Sequence, residues 1–224
     1  MTIPKEAALP FEVVEQRFQD VRSRIASCEV DPTSVKIVAV TKGFGTWAIQ
    51  AAIRLGCEFI GESYAQELKT KYEKLSSIEK NSCKVHFIGG LQSNKIKLVS
   101  KHVDVWQSVD RVSLIDEIAK RSPNAKIMLQ LDLAGESTQG GCGLDSAPAL
   151  LESAIGAGLE TIGCMAIAPR GSPSVIEKSF LELCAFADTH GLVERSIGMS
   201  GDLEIAVKSG STMVRVGTAL FGAR

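Results

Sequence analysis

The sequence predicts one domain over residues 1–224, a single (β/α)8 TIM barrel of the α/β class with an extra helix in front. Three observations predict it. Eight short apolar or β-branched runs recur at even intervals, amphipathic helical stretches fill the gaps, and no Gly-rich turn follows the first run, as a doubly wound open sheet would require. The length, 224 residues, is somewhat below the roughly 250 residues usual for this barrel.

The leading helix, within residues 1–30, rests on Phe11, Val14, Phe18, Val21 and Ile25, which recur at threes and fours. Pro10 sits where a first-turn proline is tolerated. This helix is expected to cover the place of a missing eighth helix. The barrel itself spans residues 35–224. Its strands are expected at Val35 to Thr41, Glu58 to Gly61, Lys84 to Gly89, Val103 to Val109, Lys126 to Leu133, Thr161 to Ala168, Arg195 to Met199 and Thr212 to Val216. Helices are expected at Thr46 to Leu55, Tyr64 to Leu75, Asn94 to Lys101, Val112 to Arg121, Asp145 to Ala157 and Leu203 to Lys208. One more, carrying Phe180, Leu183, Cys184 and Ala187, is expected to start at a capping box from Ser174 to Glu177 and to stop at Gly191.

Composition narrows the function. Hydrophobic residues at 45% and charged residues at 23% describe a folding chain, not a disordered one. A net charge of -1 provides no basic stripe for a polyphosphate backbone, so nucleic acid is excluded as a ligand. The six cysteines show no metal-type spacing and read as reduced thiols. No segment reaches the ~20 apolar residues that cross a bilayer, and the amino terminus has no signal-like pattern. No membrane association is expected, and the cytoplasm is the expected compartment.

Chemistry in a parallel barrel belongs at the carboxyl ends of the strands. Lys42 ends the run Ile37-Val38-Ala39-Val40-Thr41-Lys42. Desolvation of its stem would lower the ammonium pKa towards that of an imine-forming amine, although a strand-end lysine can equally snorkel into solvent. Ser200 and Gly201 after strand seven, and Gly217 and Thr218 after strand eight, offer backbone amides and hydroxyls where barrels often bind phosphate. Arg215 is expected to point inward, because Val214 and Val216 are then the pair facing the helices. His86 and Met165, by themselves, read as core residues. No metal set and no Ser-His-Asp arrangement is expected.

Five segments together resemble the pyridoxal phosphate homeostasis proteins: Val38 to Lys42, Gly61 to Glu67, His86 to Lys95, Met199 to Asp202 and Val214 to Gly222. They occur in order from about Val35 to the carboxyl terminus. The resemblance implies a barrel like the N-terminal domain of alanine racemase and pyridoxal phosphate held as a Schiff base on Lys42. It implies that Ser200, Gly201, Gly217 and Thr218 hold the phosphate, that Arg215 faces the pyridine nitrogen, and that Ser63, His86 and Met165 complete the cofactor-binding set. It also implies a role in buffering and delivering the cofactor, with apo forms of pyridoxal phosphate enzymes as recipients and no established turnover. The chain departs from the family pattern at Ser63, usually asparagine, at Gly90, usually proline, and in the Gly43-Phe44-Gly45 loop, where a looser rim is expected.

An arginine at the ring nitrogen keeps that nitrogen neutral and weakens the electron sink, which favours a non-catalytic binder. The sequence stops at Arg224 shortly after the last strand, so the second domain that completes a racemase site is not expected. The alternatives are a racemase-like enzyme, or a Schiff-base aldolase with Glu62 or His86 as acid or base.

Overall fold

The computed structural model describes residues 8–135 and 140–223. Its elements alternate as expected. Helix α1 (Phe11–Ala26) leads into β1 (Lys36–Val40), α2 (Thr46–Arg54), β2 (Phe59–Glu62), α3 (Ala65–Lys74), α4 (Ser77–Ser82), β3 (Lys84–Phe87) and α5 (Ser93–Val99). There follow β4 (Val105–Val109), α6 (Val112–Arg121), β5 (Lys126–Leu131), α7 (Ala147–Gly156), β6 (Glu160–Ala166), α8 (Pro173–Thr189), β7 (Glu194–Ser196), α9 (Leu203–Lys208), β8 (Met213–Val216) and α10 (Thr218–Phe221). The eight strands close in sequence order, all parallel, with β8 pairing back onto β1 at Val38↔Arg215.

Alternation along each strand sorts side chains between two cores. On β1, Val38 enters an inner cluster with Phe59, Val105, Met128, Met165 and Met213, which fills the barrel. Its neighbour Ala39 joins the larger outer core, where Ile60, Trp106, Leu129 and Val214 meet helix residues such as Ala48, Leu114, Phe180 and Leu203. Trp106 is fully buried there, and Trp47 stacks edge-on to Phe44 and Phe221, as core and helix-to-barrel contacts. Replacing Trp106 by alanine would cost about 3–5 kcal/mol, the usual range for a buried aromatic.

The structure corrects several expectations. The capping box is not at Ser174: α8 starts two residues earlier, with extended Ser172 at the N-cap and Pro173 in the first turn, and no side chain caps it. Proline's fixed φ makes a first-turn position favourable and places the boundary there. A true capping box starts α4, which the sequence reading missed, with Ser76 and Glu79 bonding each other's backbone amides. Strand seven stops at Ser196 because Gly198 turns the chain at φ 97°, where a Cβ would also lie 2.6 Å from Ala206. The eighth helix is not missing: α10 follows β8, and α1 packs against both α9 and α10. All six cysteines are free thiols. Among the described residues, no helix is long and apolar enough to cross a membrane.

Candidate functional site

Lys42 continues the inward face of β1. Val38 fills the barrel, and Val40 and Lys42, two and four residues on, line a cavity of about 280 Å³ at the carboxyl ends of the strands. That volume is at the small end of ligand pockets, which run from roughly 300 to 1,000 Å³. Arg215 and Met165 form further walls, and Ser200, Gly201, Gly217 and Thr218 line the same space. Gly61 keeps the wall thin, since a Cβ there would lie 3.0–3.3 Å from Ile88, Val38 and Val40.

Arg215 does point inward. It shares a face with Met213 of the inner cluster, while Val214 and Val216 enter the outer core. Its guanidinium braces three strands, donating to the Ser196 carbonyl and hydroxyl and, at 2.8 Å, to the Ala166 carbonyl. Desolvation lowers its pKa to about 10, against a rise from Asp202, so the group stays cationic at neutral pH.

Beneath it runs a directional chain. Arg215 donates to Ser196 Oγ at 3.0 Å, Ser196 donates to Gln107 Oε1 at 2.7 Å, and the Gln107 amide meets His86 Nδ1 at 2.6 Å. With the amide donating, Nδ1 is an acceptor and the imidazole is neutral. Burial, aided by Lys36 and Lys84, pushes the His86 pKa down to about 3.

The opposite face of the wall carries a second polar cluster. Glu62 turns away from the cavity to meet Lys71 of α3 at 2.7 Å, with both side chains almost fully buried. Lys71 also donates to the Thr41 carbonyl at 2.7 Å and pairs with Glu67 at 2.5 Å. Thr41 donates its hydroxyl to Glu62 Oε1, and the Gly43 amide donates to Glu67 Oε1, each at 2.7 Å. Both chain neighbours of Lys42 are therefore tethered to α3. Phe44, 1% exposed, packs on Trp47 and Phe221. The expected looser rim after Lys42 is thus corrected: the glycine-containing loop is anchored.

The two glycine-containing segments approach the cavity from adjacent strands. The Asp202 carboxylate accepts the Met199 amide at 2.5 Å, so it closes the Ser200-Gly201 turn instead of capping α9. Gly217 lies so close to β1 that a Cβ would be 3.2 Å from the Val40 carbonyl oxygen.

Seven of the nine sequence-expected residues line this cavity: Lys42, Met165, Ser200, Gly201, Arg215, Gly217 and Thr218. His86 and Ser63 do not. His86 sits within the barrel below it against Phe59, because strand β3 ends one residue later at Phe87 and the cavity meets the following residue, Ile88. Ser63 lines a separate cavity of about 330 Å³ with Tyr64, Gln92 and Lys95, one residue beyond the end of β2 at Glu62. Sequence reasoning missed Val40, Ile88, Ile167 and Met199 as lining residues. The parity of β1 was a signal for Val40; the others follow strand ends whose position only the fold settles. Among the described residues, no group of three or more His, Cys, Asp or Glu side chains is placed to hold a metal ion.

A closed barrel with a lysine after its first strand, an inward arginine on its last and hydroxyl–glycine turns after the final two strands defines a class. The chain belongs to the alanine racemase N-terminal domain family, whose profile matches residues 15–224, and within it to the pyridoxal phosphate homeostasis proteins. It is 34% identical over 217 residues to the pyridoxal phosphate homeostasis protein of Pseudomonas aeruginosa, covering 91% of each chain. A crystal structure of an unknown protein from Bifidobacterium adolescentis superposes with a TM-score of 0.88 at 31% identity, covering 99% of this chain and 100% of that one. PipY of Synechococcus elongatus, solved with PLP bound, superposes with a TM-score of 0.79 at 30% identity, covering 90% of this chain and 100% of that one.

Proposed function

We propose that this chain binds pyridoxal phosphate in the cavity at the carboxyl ends of the strands, as a Schiff base on Lys42, and holds and delivers the cofactor inside the cell without turnover. The observation that carries the reading is that Lys42 and Arg215 line one cavity whose remaining polar walls are hydroxyls and glycine turns. The residues present fit the group. Lys42 supplies the amine for the aldehyde, and forming the C=N bond expels the aldehyde oxygen as water with the two amine protons. Ser200 and Thr218 offer hydroxyl donors, and Gly201 and Gly217 backbone approach, to the phosphate. Arg215 takes the side of the pyridine nitrogen.

When bound, the cofactor supplies an electron sink only to the extent that its ring nitrogen is protonated. Arg215 retains its proton at neutral pH, so it offers the nitrogen a hydrogen bond and no proton. Among the described residues, those lining the cavity include no carboxylate and no histidine. Glu62, the acid or base an aldolase would need, faces α3, and His86 is neutral below the floor. These placements favour a carrier over the racemase-like and aldolase readings. Apo forms of pyridoxal phosphate enzymes are the recipients this role implies.

The test is chemical. Borohydride reduction of the loaded protein followed by peptide mapping should place the pyridoxyl group on Lys42, and Lys42→Ala should lose the label with its fold intact. A label on another lysine would overturn the assignment.

A further inference from the structure

Helix α1 lines no part of the cavity, yet it holds the Ser200-Gly201 turn directly and, on the other side, α10, which follows Gly217. Arg24 forms a forked pair with Glu204 in the first turn of α9, Nε to Oε1 at 2.6 Å and Nη2 to Oε2 at 2.7 Å. The same Nη2 donates to the Ser200 carbonyl at 3.0 Å. Arg17 lies seven residues earlier, two turns back on the same helix face, and donates to the Leu220 carbonyl of α10 at 3.4 Å. The buried stripe of Val14, Phe18, Val21 and Ile25 holds this face against the barrel. The arginines are not interchangeable with lysine here, because the fork matches the planar carboxylate at two points. The Arg24 and Glu204 pKa values move apart, raised and lowered by their shared hydrogen bonds.

We propose that Arg24 is a positioning residue for phosphate binding: it fixes the Ser200 carbonyl and Glu204 so that the Ser200-Gly201 turn presents its hydroxyl and amides to the cavity. Arg17 steadies the other side through α10. The inference rests on the reading above that these turns hold the cofactor's phosphate. It gives the leading helix a binding role. An ordinary exposed ion pair contributes little, but the forked geometry and the third bond to the loop carbonyl couple this one to the turn.

The experiment compares the dissociation constants of pyridoxal phosphate and of pyridoxal, which lacks the phosphate, by absorbance titration of the full chain. Arg24→Lys and Arg24→Gln should weaken pyridoxal phosphate binding by about threefold to tenfold and leave pyridoxal binding unchanged. Glu204→Gln, which leaves the Ser200 carbonyl contact available, should fall between these variants and wild type. Equal loss for both ligands would overturn the inference, since Arg24 would then be merely structural. Unchanged binding in the Arg24 variants, with Ser200→Ala still weakening pyridoxal phosphate, would overturn it and leave the phosphate site standing. No effect in either set would remove the phosphate site and this inference with it.

Discussion

The Lys71 ammonium and the Glu62 carboxylate meet at 2.7 Å on the face of the barrel wall opposite the Lys42 cavity. Burial raises the Glu62 pKa, and Lys71 opposes that rise. Removing Lys71 strands the Glu62 carboxylate in a dry site and leaves Glu67 without its cation; replacing Glu62 as well relieves the first of these but not the second. Lys71→Met should therefore destabilise the protein by about 3–5 kcal/mol, and Lys71→Met with Glu62→Gln should recover part of that loss. Urea unfolding of the two variants checks this. A loss below about 1 kcal/mol in the single variant would mean that water reaches the pair.

Much of the barrel was legible because alternation is a local signal: Val214 and Val216 sit on either side of Arg215, and one pairing register places all three. The same parity runs from Val38 through Val40 to Lys42, although Lys42 was singled out from the apolar run ahead of it and Val40 was left out. Lys71 was not legible. It lies among Lys69, Thr70, Glu73 and Lys74 on a helix that reads as solvated, and only the packing of α3 against β1 and β2 buries it. Gln107 was hidden for a related reason. Alternation turns it inward two residues after Val105, but its partners His86 and Ser196 come from β3 and β7, and only closure of the barrel brings them together.

Ser200→Ala and Thr218→Val each remove one hydroxyl from the cavity wall proposed to hold the phosphate. Each should weaken cofactor retention by about 1.5–3 kcal/mol, the range for hydrogen bonds to a charged group. The loss should appear as faster release on dilution, measured by the decay of absorbance. Borohydride should still trap the cofactor on Lys42 in both variants. Unchanged release rates would place the phosphate elsewhere.

His86 makes acid stability a test of the barrel interior. Its folded pKa is depressed to about 3, against 6.5 for an exposed imidazole. Below pH 6.5 the unfolded chain gains a proton that the folded chain refuses, so this contribution to stability is present at pH 7 and declines as pH falls towards 3. From pH 7 to 5 the loss is about 2 kcal/mol. His86→Asn should lower stability at pH 7 but show a pH 7-to-5 decline smaller by that amount in urea unfolding. An identical decline in the two proteins would mean that His86 titrates freely.

Catalysis is the outcome the site argues against most directly, and Arg215 is where the argument is tested. On the proposed reading Arg215 faces the ring nitrogen, and a guanidinium that donates to the Ser196 and Ala166 carbonyls and keeps its proton at neutral pH would give that nitrogen none. A substrate carbanion then gains little resonance stabilisation, and abstraction of an amino-acid α-proton should be very slow. Loaded wild-type protein incubated with several amino acids in deuterated water should show essentially no α-proton exchange. Arg215→Glu would offer the ring a carboxylate partner and should raise exchange. It should also loosen the cofactor, because the Ser196 and Ala166 carbonyls lose their donor. Exchange is therefore compared per bound cofactor, read from absorbance. Sustained exchange by wild type on the order of 1 per second or faster, an ordinary enzymatic rate, would sink the carrier reading and favour a racemase-like enzyme.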